Sequence, residues 1–191
     1  MATKIICEVS ARHVHLTEED IQVLFGRGHI LRYKKELSQP GQYACEERVT
    51  IEGPKASLKN VIVIGPARPA SQVEISLSDA RALGLEVPIR ESGDIAGSAS
   101  VKLTGTAGET VLKEGAIASK RHIHITPEAA AENRVNDKET VMVKLDTARP
   151  LIFDGVVVRV SDKFTPALHI DTDEANAAGV SGEAYCEIVK K

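Results

Sequence analysis

Two short stretches of this 191-residue chain place histidines one residue apart, His13-Val14-His15 and His122-Ile123-His124. On an extended strand alternate side chains face the same way, so each pair presents two imidazoles on one face while Val14 and Ile123 point toward a core. Neutral imidazole is a ligand for zinc and related ions, and two of them on a rigid strand are the beginning of a metal site. A single such triplet arises readily by chance or packing. Two with matching flanks carry more weight: Ala11-Arg12-His13-Val14-His15-Leu16-Thr17 recurs as Lys120-Arg121-His122-Ile123-His124-Ile125-Thr126, at an offset of 109 residues.

A second related pair follows. Residues 73–84 (VEISLSDARALG) match residues 168–179 (LHIDTDEANAAG) at an offset of 95, so the first copy carries 14 more residues between its motifs. The insertion falls around residues 32–44, where SQPGQYA has no counterpart. This alignment sets Glu74 opposite His169 and gives each copy two histidines plus one further group able to hold a metal. Of the six histidines only His29, beside Gly26-Arg27-Gly28, lies outside the repeat, and it reads as a surface residue. Three nitrogen or oxygen ligands with a position left open is the pattern of a catalytic zinc, whereas a structural zinc recruits four ligands, often cysteines. None of Cys7, Cys45 and Cys186 lies in an aligned motif. If the two sets meet, a two-metal centre results; the plainer alternative is that the imidazoles only pack and hydrogen-bond. Arg68, between two prolines in GPARPA, stands six residues before Glu74, and Lys163 is its repeat counterpart. Its guanidinium suits bidentate capture of a phosphate or a carboxylate. Gly-x-Ser-x-Gly, P-loop and Gly-x-Gly-x-x-Gly patterns do not occur.

Short elements must position these groups. The chain is 42% hydrophobic and 27% charged, with net charge −3, a balance that excludes a disordered chain and gives no reason for a nucleic-acid or membrane-surface partner. Aromatic residues make up only 3%, so the core must come from Val, Ile, Leu and Ala. β-Branched runs at 4–9, 48–51, 60–64, 73–77, 100–103, 140–145, 155–160 and 184–189 read as strands. Thr17 before Glu18, Glu19 and Asp20 reads as a helix cap, as does Thr126-Pro127-Glu128. Each second motif reads as a strand, a polar cap, a short helix and a terminating glycine. Many strands with short helices predict a mainly β chain of two tandem duplicated small β-barrels. No run approaches the ~20 apolar residues of a membrane span, and an odd number of cysteines at unrelated spacings points to a reducing cytoplasm.

The segments SARHVHLT, LSQPGQYA, GPARPASQVEIS, SKRHIHIT and LHIDTDEANAAG together resemble the zinc-dependent phosphate propanoyltransferases of the propanediol-utilisation type, over essentially the whole chain. The resemblance implies two β-barrel domains, a dinuclear zinc site between them and a homodimer, with the first strand completing the second barrel. The domains are then residues 12–120, and residues 1–11 with 121–191. It further implies that His13, His15 and Glu74 hold one zinc, that His122, His124 and His169 hold the other, and that Arg68 holds phosphate. Ser10, Lys35 and Asn176 match positions that contact coenzyme A. Relatives packaged in microcompartments carry an amphipathic N-terminal extension; only nine residues precede Ser10 here, so a free cytoplasmic enzyme is expected. The implied reaction interconverts acyl-CoA plus phosphate with acyl phosphate plus CoA by direct attack in a ternary complex, the acyl group being acetyl or propanoyl. Two alternatives share the motifs: a duplicated cupin-like metalloenzyme and a non-catalytic acyl-CoA or phosphate sensor.

Overall fold

A computed structural model of the chain describes residues 4–189. In chain order the elements are β1 (Ile5–Val9), β2 (His13–His15), α1 (Glu18–Phe25), β3 (Tyr33–Glu36), β4 (Tyr43–Glu52), β5 (Ser57–Gly65), β6 (Gln72–Glu74), α2 (Leu77–Leu83), β7 (Ile89–Arg90), β8 (Ala99–Thr104), β9 (Glu109–Ser119), β10 (His122–Ile125), α3 (Pro127–Asn133), β11 (Thr140–Leu145), β12 (Leu151–Val160), β13 (Ala167–Ile170), α4 (Thr172–Ala178) and β14 (Ala184–Val189). They form two compact units, one being Arg12–Ser119 and the other the segment up to Ala11 together with the chain from Lys120.

Each unit is a closed six-stranded barrel. In the Arg12–Ser119 unit the ring runs β2-β5-β4-β8-β9-β6 and returns to β2, with β3 added on β4 and β7 on β9. In the other unit it runs β1-β13-β10-β12-β11-β14 and closes back on β1. The rings correspond strand by strand: β2 with β10, β4 with β11, β5 with β12, β6 with β13, β8 with β14 and β9 with β1. β6 pairs with β9 in parallel, as β13 does with β1. Each barrel is thus closed by the strand that leads into the other unit's histidine triplet, and the N-terminal strand completes the barrel of the C-terminal half. Closure leaves no unpaired edge within either ring. The 14 extra residues of the first copy include β3, whose strand partner β4 begins at Tyr43.

Side-chain alternation fills each barrel with its own core. Val14, Leu16, Ile51, Val63, Val73, Leu83 and Ala116 are wholly buried in one, and Ile123, Ile125, Val143, Val158, Leu168 and Ala178 in the other. The residues between the paired histidines are among them, as strand alternation requires. β9, with 11 residues, is a strand that composition did not single out: Lys113-Glu114-Gly115 interrupts its apolar alternation, and its pairing with β6 and β8 holds it extended. Conversely, the run at 73–77 is extended only through Glu74, because Ser76 caps α2. The four helices among the described residues each start on a side-chain cap, from Thr17, Ser76, Thr126 and Asp171. α2 and α4 end on Gly84 and Gly179, whose φ of 77° and 64° suits glycine. No described helix is long and apolar enough to cross a membrane.

Candidate metal centre and anion site

The duplicated topology places the repeat-related residues in register. His13 pairs across β2 and β6 with Glu74, and His122 pairs across β10 and β13 with His169. Two clusters result, His13–His15–Glu74 and His122–His124–His169, with the ligand atoms in each within 4.8 Å of one another. In the first, Glu74 Oε1 stands 3.6 Å from His13 Nε2 and 3.9 Å from His15 Nε2. In the second, His124 Nδ1 and His169 Nε2 are 3.2 Å apart, and the His122 and His169 rings stack at 5.1 Å.

The donor sets fit zinc. Two zinc–nitrogen bonds at a tetrahedral angle put the nitrogens about 3.3 Å apart, close to the His124–His169 spacing. Outer partners orient the rings: His15 Nδ1 donates to the Ile64 carbonyl at 3.2 Å and His122 Nδ1 to the Lys120 carbonyl at 2.8 Å, leaving Nε2 of each as the ligand atom. Glu8 Oε2, on β1, lies 3.7 Å from His169 Nδ1. Protonation states match as well. Burial, reinforced by His13 and Arg68, lowers the His15 pKa to about 3. Burial, with His122, His169 and Arg159, does the same at His124, to about 3. Burial works against the Glu74 charge, but His13 and a hydrogen bond from Ser92 hold its carboxyl well below the usual range. Neutral His15 and His124 and an ionised Glu74 carboxylate are the forms that bind metal.

These shifts predict a pH dependence. With metal removed, the folded chain keeps His15 and His124 neutral down to about pH 3, while the unfolded chain protonates both near 6.5. The unfolded state therefore binds more protons between those limits, so stability from these groups is complete above pH 6.5 and is lost progressively on acidification. Thermal midpoints of chelated protein should fall across this window, more steeply than in a His15→Gln variant; equal slopes would contradict the assignment.

An ion pair recurs beside each cluster. Arg12, just before the first triplet, makes two bonds of 2.7 and 2.8 Å to Asp79 in α2. Arg121, just before the second, reaches Glu174 in α4 at 2.6 Å. Asp79 and Glu174 occupy equivalent repeat positions, so each pair ties the strand of two ligands to the helix that follows the third. Asp79 is buried. Arg12→Ala should therefore destabilise the protein by about 2 kcal/mol, seen as a lower denaturant midpoint at unchanged m.

Arg68 is half-buried in the loop between β5 and β6, its N–H bonded to the Leu16 carbonyl at 2.8 Å. Its Nη1 donates to Ser92 Oγ at 3.0 Å, and Ser92 Oγ donates to Glu74 Oε1 at 2.7 Å. Arg68 is thus two hydrogen bonds from the first cluster. Its counterpart Lys163 is exposed, and the neighbouring Phe164 packs on His124 at 4.2 Å. Ser10 lies in the unit of the second cluster, its N–H bonded to the Ile170 carbonyl at 2.8 Å, and Asn176 is exposed on α4 of that unit. Lys35 is exposed on β3 of the other unit. His29 is not a simple surface residue: Nε2 lies 2.8 Å from the buried Glu47 carboxylate. Sequence reasoning did not find Ser92, Gln72, Glu8 or the two acidic partners; only the recurrence of arginine before each triplet, and of an acid in each following helix, hinted at the last.

A family model for phosphate propanoyltransferase matches residues 6–181. The chain belongs to that family. It is 55% identical to the phosphate propanoyltransferase of Clostridioides difficile over 96% of this chain and 88% of that protein. The corresponding figures for the Listeria monocytogenes protein of the same name are 49%, 100% and 90%, and for that of Thermotoga maritima 50%, 91% and 83%. Phosphate propanoyltransferases are phosphate acyltransferases, so the chain is a transferase. The cupin-like and sensor alternatives are set aside by this membership.

Proposed function

We propose that the chain transfers a propanoyl or acetyl group between coenzyme A and inorganic phosphate at a dinuclear zinc site, one zinc held by His13, His15 and Glu74 and one by His122, His124 and His169. The observation that carries this reading is the pair of clusters at equivalent positions of a duplicated fold, one of them buried and linked to Arg68. The two zinc ions, when bound, supply positive charge that polarises the thioester carbonyl and favours the thiolate form of the leaving sulfur.

The chain's own residues do the positioning. Arg68 grips phosphate through its guanidinium fork and turns one oxygen toward the thioester carbonyl carbon. A C–O bond forms, the C–S bond breaks, and the products are acyl phosphate and the CoA thiolate, which takes up a proton on release. Ser10, Lys35 and Asn176 hold coenzyme A, the exposed Lys35 supplying a cation for its phosphates. Attack is direct. Burial pushes the Cys7 and Cys45 thiols up to about 12 and about 11, which removes them as nucleophiles at neutral pH. The enzyme acts as a homodimer in the cytoplasm, a compartment that suits its free cysteines.

The test is thiol release from propanoyl-CoA and acetyl-CoA, with and without phosphate, on protein of measured metal content. Expected are phosphate-dependent release, about two zinc per chain, and no acyl-protein adduct in the mass spectrum. Release without phosphate, or a stable acyl group on the protein, would overturn the reading.

A further inference from the structure

The loop after β7 carries Ser92, whose hydroxyl has all its hydrogen-bonding capacity in use. It accepts from Arg68 Nη1 at 3.0 Å and from Gln72 Nε2 at 2.7 Å, and stands 2.7 Å from Glu74 Oε1. A guanidinium and an amide NH2 only donate, and an ionised carboxylate only accepts. The serine proton is therefore directed to Glu74 and both oxygen lone pairs are occupied. Gln72 is fixed in turn: its Nε2 also donates to Glu74 Oε1 at 2.5 Å, and its Oε1 accepts the Gly93 N–H at 2.8 Å. Since a carbonyl oxygen must face Gly93, the amide cannot flip. Gln72 and Glu74 are themselves buried.

We propose that Ser92 is a positioning residue that joins the anion-gripping guanidinium of Arg68 to the metal-ligating carboxylate of Glu74, so that phosphate and metal bind to the Arg12–Ser119 unit as a coupled pair. The inference rests on the reading that Arg68 takes phosphate and Glu74 takes zinc. Chemistry supports the linkage. A hydroxyl that gives its proton to a carboxylate and its lone pairs to a guanidinium holds both groups in one orientation, and outer partners of metal ligands govern metal affinity. In the second unit the third group of the cluster is a histidine facing Glu8, and the counterpart of Arg68 is an exposed lysine.

The test compares Ser92→Ala, Ser92→Thr, Arg68→Ala and the double variant Ser92→Ala/Arg68→Ala in the full chain. Zinc affinity is read by competition with a chromophoric chelator, with and without inorganic phosphate, and KM is measured for phosphate and for acyl-CoA. Ser92→Ala should weaken the more affected zinc about tenfold, raise the phosphate KM about tenfold, and leave the acyl-CoA KM within about twofold. Phosphate should tighten zinc binding in the parent and not in Ser92→Ala. The double variant should raise the phosphate KM by less than the product of the single effects, and Ser92→Thr, which retains the hydroxyl, should recover most of the loss. Zinc affinity and phosphate KM both unchanged in Ser92→Ala, or independent effects in the double variant, would overturn the coupling. An Arg68→Ala variant with normal phosphate KM would instead remove the phosphate assignment on which it rests. In that case a Ser92→Ala defect confined to zinc would also count against the coupling.

Discussion

His124→Ala is expected to lower phosphate-dependent thiol release by about a thousandfold or more, with one zinc fewer per chain. The imidazole is one of three candidate ligands in its cluster, is neutral through burial, and faces His169 Nε2 at 3.2 Å. Two remaining imidazoles make a weak site, and Phe164 loses the ring on which it packs. His13→Ala in the other cluster should act alike if both metals serve one reaction. Zinc content, thermal midpoint and turnover measured together make the result unambiguous. A folded variant that keeps full activity with one zinc missing would remove that cluster from the chemistry. Chelation of the parent protein should reproduce the loss, and zinc should restore it.

Arg68→Ala should reduce kcat/KM for phosphate by about 10²–10³-fold. The guanidinium is held half-buried at fixed orientation by Ser92 and by its own backbone bond to Leu16, so its removal takes away charge and geometry together. Burial lowers the Arg68 pKa while Glu74 raises it, and an arriving anion adds to the compensation. Arg68→Lys should recover only part of the activity, since an ammonium lacks the bidentate fork. In the reverse direction the loss should appear with acyl phosphate, because both directions share one transition state. Phosphate saturation kinetics on the two variants measure this. An unchanged phosphate KM would move anion capture elsewhere.

Much of the site was legible because its logic is local. Two histidines one residue apart face together on any strand, and that inference needs no knowledge of what pairs with the strand. Glu74 was legible only through the repeat: a lone glutamate carries no signal, but its alignment with His169 does, and both stand in matching register opposite the first histidine of their triplets. The helix caps at Thr17 and Thr126 and the terminating glycines were also local.

Contacts made across the fold were not legible. Ser92 lies 18 positions from Glu74 in a loop with no periodicity, and Asp79 lies 67 positions from Arg12. His29 reads as a turn residue because the signals around it are glycines, yet Glu47 is folded beneath it. β9 escaped notice because Gly115 and its charged neighbours break the apolar pattern, while ladder pairing on both sides keeps it extended.

By itself the sequence determined the duplication, the barrel-forming composition, the six candidate ligands and Arg68, because repeats and two-residue alternation are written along the chain. The tertiary structure alone decided the full order of strands around each ring, the distances of Glu74 and His169 from the paired imidazoles, and that Ser92 joins arginine to carboxylate. Those contacts depend on strand register and ring closure, which bring together residues whose separation along the chain holds no trace of their proximity.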